Sequence, residues 1–77
     1  MLTVKKISVT DSVVTYRYYP ENKKAYGIVS VNRKTGQRSF DKVETEYGTR
    51  YAAHACVWIE RQIKRGQFPE TGGEAWY

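Results

Sequence analysis

The sequence predicts an α+β fold in two layers, an antiparallel four-stranded β-meander packed against one C-terminal helix in the order ββββα. Three observations carry this expectation. Four short segments rich in β-branched and aromatic residues precede position 44, turn residues separate them, and a single amphipathic segment follows, bounded at both ends.

The first two strands are expected at about 2–9 and 12–19, with Thr10-Asp11 as a tight turn between them. Within the first, Leu2 and Val4 share one phase while Ile7 and Val9 share the other, a switch that a β-bulge around Lys5-Lys6 would reconcile. The same two lysines would discourage strand addition if this strand lay at an edge. Tyr19-Pro20-Glu21-Asn22-Lys23-Lys24 reads as a polar loop, and the third strand follows at about 26–32. Asn32-Arg33-Lys34-Thr35-Gly36-Gln37 is the strongest turn signal, a type I turn closed by a left-handed glycine at Gly36. The fourth strand is expected at about 37–43. Phe40 and Val43 differ in phase, so the pattern assigns it no buried face.

The helix is expected at about 49–65. Ala52, Ala55, Cys56, Ile59 and Ile63 fall on one side of a 3.6-residue repeat, bordered by Tyr51, Trp58 and Gln62. Thr49 is the expected N-cap, with Glu44 and Glu46 before the positive end of the dipole. Gly66 suits the left-handed residue after a helix and Pro69 forbids continuation. The tail, 67–77, ends in Ala75-Trp76-Tyr77 and is expected to fold back so that its rings cover part of the core.

Seventy-seven residues make one domain, and eleven aromatic rings enlarge its small core. One cysteine and one histidine are too few for an internal disulfide or a self-contained zinc site, so no metal or other cofactor is expected and the setting is read as cytoplasmic. No apolar run approaches a membrane span of roughly 18 residues, and Met1-Leu2-Thr3-Val4-Lys5-Lys6 does not open a signal peptide.

Catalytic chemistry finds little support. His54 and Cys56 are two positions apart on the helix and point about 200° away from each other, too far for a nucleophile and its base. The carboxylates sit mostly in turns and at element ends, and Gly72-Gly73 precedes no helix that could receive a phosphate. The chain is therefore expected not to be an enzyme.

Binding surfaces remain. The net charge is +5, and residues 1–42 hold nine Lys or Arg against three Asp or Glu. Lys23, Lys24, Arg33, Lys34 and Arg38 form one candidate basic patch from two loops and a strand start. Arg50, His54, Arg61 and Arg65 lie within roughly 60° on the outer helix face, with Trp58 beside them. On the second strand, Tyr16 and Tyr18 share one face while Arg17 and Tyr19 share the other, and Tyr26 follows nearby. One set can pack beneath the helix while the other faces outward.

The order of elements from Tyr26 to Gly66, through Asn32-Arg33-Lys34-Thr35-Gly36-Gln37-Arg38 and Thr49-Arg50-Tyr51-Ala52-Ala53, resembles DNA-binding domains of plant factors and phage-type integrases. That resemblance of topology implies three antiparallel strands, one packed helix, and strand side chains that meet DNA. The family's strand tryptophans and arginines are absent here, with Tyr26 at an aromatic position and Ser30 in place of a charge.

Two function classes follow. The first is a non-enzymatic protein-interaction or self-associating accessory domain, with Tyr18, Trp58, Trp76 and Tyr77 as candidate contacts. The alternative is a basic nucleic-acid-binding module using Lys23, Lys24, Arg33, Lys34, Arg38, Arg50, Arg61 and Arg65. The partner itself is not named by the sequence.

Overall fold

Five strands and one helix make up the protein in a computed structural model that describes residues 1–74. They are β1 (Leu2–Val9), β2 (Val13–Pro20), β3 (Gly27–Asn32), β4 (Arg38–Lys42), α1 (Arg50–Arg65) and β5 (Thr71–Glu74). The sheet order is β4-β3-β2-β1-β5, and each neighbouring pair is antiparallel. The α+β class, the four expected strands and the packed helix all stand. The sheet has a fifth strand, however, so α1 is not the last element. Only β3, β4 and α1 fall between Tyr26 and Gly66, which limits the topological resemblance to two strands and a helix.

Local chemistry explains the shared elements. Asn32 Oδ1 accepts the N–H groups of Lys34 (2.9 Å) and Thr35 (3.0 Å), and Gly36 takes φ 77°, closing the β3–β4 hairpin. After α1, Gly66 adopts φ 69° and its N–H donates to the carbonyls of Gln62 and Ile63. At the other end Thr49 occupies the N-cap position, but its side chain makes no capping hydrogen bond. The expected stripe is in the core, where Ala52, Ala55, Cys56 and Ile59 are fully buried against Leu2, Val4, Val14, Tyr16, Tyr18, Val29 and Val31.

The phase switch in β1 is a bulge. Pairing with β2 shifts between Lys6 and Ser8, which returns Val9 to the core side opposite Val14 and leaves Ile7 45 % exposed. Edge protection by Lys5-Lys6 is corrected, because β1 lies between β2 and β5. Lys6 instead reaches Glu70 (3.0 Å) and the Phe68 carbonyl (3.2 Å), anchoring the segment that enters β5.

The tail folds back by strand pairing. Leu2 to Lys5 pair with Glu74 to Thr71, and Tyr16 donates its hydroxyl to the Pro69 carbonyl at 2.6 Å. The expected covering rings, Trp76 and Tyr77, lie outside the described residues. Within them the ring beneath β5 is Trp58, 7 % exposed and edge-on to Tyr16 at 5.0 Å. A Cβ at Gly72 would stand 2.3 Å from the indole, so glycine is what lets β5 approach. Phe40 stands opposite Val29 on the helix side but is 39 % exposed. A single helix about 10 Å wide cannot roof a sheet whose strands are spaced about 4.8 Å apart.

Candidate functional site

Strand alternation sends Val14, Tyr16 and Tyr18 to the helix side and Thr15, Arg17 and Tyr19 to the other. No described element covers that second face. Register then assembles one transverse row on it, with Lys42 opposite Ile28, Ile28 opposite Arg17, Arg17 opposite Lys5, and Lys5 opposite Thr71. Three cations thus share a row across four strands. Like charges directly opposite one another are unfavourable, yet among the described residues no carboxylate lies within ion-pair distance of Lys5, Arg17 or Lys42.

Aromatic rings border the row. The Arg17 guanidinium lies 4.8 Å and the Lys42 ammonium 4.1 Å from the centre of the Tyr26 ring, and Tyr19 approaches Tyr26 at 5.7 Å. Arg17 Nε is buried and has no hydrogen-bond partner. The far end of the face is different in chemistry. There Thr15 and Ser30 hydroxyls meet at 3.0 Å, and Ser30 and Ser39 each donate to Asp41 at 2.6 Å, which occupies both oxygens of that carboxylate.

The cations proposed from sequence scatter. Lys23 and Lys24 lie in the loop before β3, whereas Arg33 and Lys34 lie in the turn after it, so the strand separates the halves of the expected patch. Lys23 pairs with Glu46 at 3.3 Å, and its contact with Tyr47, then Glu46, holds its pKa above the usual lysine value. Arg33 donates to the Thr10 carbonyl at 2.9 Å and lies 4.9 Å from the Phe68 ring. Arg38 grips Glu60 with two bonds of 2.9 and 2.8 Å, which lowers the Glu60 pKa. Lys24, Lys34, Arg50, Arg61 and Arg65 are exposed, the last three on α1, across the sheet from the open face.

Two proposed protein contacts are corrected. Tyr18 is fully buried with its hydroxyl accepting the Glu44 N–H at 2.9 Å, and a Cβ at Gly27 would overlap its ring. Trp58 is core rather than a neighbour of the outer arginines, since the position bordering the apolar stripe is roofed by β5. Lys5 and Lys42 went unread as site residues because only cross-strand register aligns them with Arg17. The Tyr16/Tyr18 and Arg17/Tyr19 alternation was the legible part of that face.

Cys56 is buried, and desolvation pushes its thiol up to about 11. Against the 9.0 of a solvated cysteine, that lowers the thiolate fraction about a hundredfold at pH 8. A disulfide reagent is therefore expected to label Cys56 only as fast as the domain opens, and at full speed in denaturant. Fast labelling of the native protein would place the thiol at the surface. Among the described residues, no group of three or more His, Cys, Asp or Glu could hold a metal, and no helix is long and apolar enough to cross a membrane. The chain matches no protein-family model, no curated protein and no solved structure.

Proposed function

We propose that the chain is a non-enzymatic module that binds single-stranded nucleic acid on the open face of its sheet, in the cytoplasm. The observation that carries this reading is the Lys5–Arg17–Lys42 row, three cations without an acidic partner among the described residues, set beside Tyr19 and Tyr26. A phosphate backbone supplies the missing negative charge, and unpaired bases have faces that tyrosine can stack on, which duplex bases do not offer. The cytoplasmic setting rests on composition, since a buried aromatic core takes the place that disulfides hold in small secreted domains. The protein-interaction reading keeps less support, because Tyr18 and Trp58 are buried.

Fluorescence anisotropy with a labelled 12-nucleotide single strand and its duplex tests the proposal at about 50 and 200 mM salt. Micromolar affinity and preference for the single strand are the expected result. Three phosphate contacts give a salt slope of about −2, so binding weakens roughly twentyfold over that range. Absence of binding at the lower salt, or affinity indifferent to salt, would overturn the reading and turn attention to an acidic protein.

A further inference from the structure

The polar end of the open face holds a hollow of about 190 Å³, lined by Val13, Ser30, Asn32, Gln37 and Ser39. Register places it on that face, since Ser30 stands opposite both Thr15 and Ser39, and Asn32 stands opposite Val13. Thr15 precedes Arg17 by two residues on β2, so this polar row runs about 7 Å from the cationic one. The hollow has the volume of about six water molecules, enough for one pentose ring.

Each hydroxyl proton at this end has one destination. A carboxylate only accepts, so the Ser30 and Ser39 protons both go to Asp41, at 2.6 Å each. With the Ser30 proton committed, the 3.0 Å bond to Thr15 is donated by Thr15. Ser39, on an exposed strand, therefore offers lone pairs and no donor. Asn32 is the reverse, because its Oδ1 already accepts the N–H groups of Lys34 and Thr35 and only its amide N–H groups remain. An acceptor beside a donor is matched by a hydroxyl group, which is both. A phosphate, which only accepts, is repelled by Asp41 and finds its donors on the Lys5–Arg17–Lys42 row.

Resting on the nucleic-acid reading above, we infer that this hollow is a ribose subsite, so that the single strand taken by the open face is RNA in preference to DNA. The 2′-hydroxyl donates to Ser39 Oγ and accepts from the Asn32 amide, and deoxyribose lacks that group. The adjoining phosphate falls toward Arg17, one row away along β2.

The test measures anisotropy of labelled nine-nucleotide strands of uridine, deoxyuridine and 2′-fluoro-deoxyuridine at about 50 mM salt, on wild type and on Ser39→Ala. Wild type is expected to bind the uridine strand about tenfold more tightly than the deoxyuridine strand, the gain from one or two hydrogen bonds. The fluoro strand keeps the ribose pucker without the donor and should bind like deoxyuridine. In Ser39→Ala the uridine-to-deoxyuridine ratio should fall most of the way to one, with deoxyuridine affinity unchanged because the cationic row is intact. Equal binding of uridine and deoxyuridine by wild type would overturn the inference, as would a fluoro strand bound as tightly as uridine or a preference that survives Ser39→Ala. In each of those cases deoxyuridine binding still sustains the open-face reading. Failure of every strand to bind would overturn both. Should Ser39→Ala not fold, the fluoro comparison on wild type decides alone.

Discussion

Trp58→Ala is expected to remove about 3–5 kcal/mol of stability, the range for emptying a buried aromatic site. The indole touches three parts of the fold at once. It projects from α1, meets Tyr16 of β2 edge-on at 5.0 Å, and fills the space where a side chain at Gly72 of β5 would stand. A domain of 77 residues holds only about 4–12 kcal/mol in total, so this single cavity consumes a large share of it. Thermal denaturation followed by circular dichroism should show the midpoint falling by more than about 12 °C. Gly72→Ala attacks the same junction by overpacking, and about 1–3 kcal/mol is expected there. A Trp58→Ala loss under about 1 kcal/mol would mean that the ring stands outside the core.

Charge reversal of the row, Arg17→Glu with Lys42→Glu, is expected to weaken single-strand binding more than a hundredfold at about 50 mM salt. Two charge-assisted contacts are lost, each about 1.5–3 kcal/mol, and repulsion replaces them. Unfolding does not explain such a result. Lys5 faces Arg17 directly, and a glutamate there converts a like-charge pair into an opposite-charge pair, which is favourable by about 0.2–1 kcal/mol. The lost cation–π contacts with Tyr26 offset a similar amount. Melting temperature is therefore expected to stay close to wild type while affinity collapses. The comparison protein is Arg61→Glu with Arg65→Glu, altered on the opposite side of the sheet. A collapse in that protein, with the row variant unaffected, would move the binding surface to α1.

Legibility of the fold followed the range of the forces involved. The helix could be read to within a residue because its period, Gly66 and Pro69 all act within one or two turns of the chain. The same holds for the β3–β4 turn, where Asn32 and Gly36 impose the geometry on their own neighbours, and for the bulge, which is written as a phase switch between Val4 and Val9. Thr49 illustrates the boundary, since its residue type suits a cap while its side chain makes no capping hydrogen bond.

Residues 71–74 carry two glycines and no local reason to form a strand; they are one because they pair with the side of β1 that β2 leaves open, where Gly72 lets the backbone lie against Trp58. Tyr18 and Tyr19 are chemically alike, and only the packing on the helix side of the sheet makes Tyr18 the buried one. By itself the sequence determined the element types, the turns and the amphipathic faces, all products of short-range dihedral and periodic preferences. Only the tertiary structure decided the fifth strand and the alignment of Lys5, Arg17 and Lys42, because cross-strand register brings together residues 37 positions apart and no local preference encodes it.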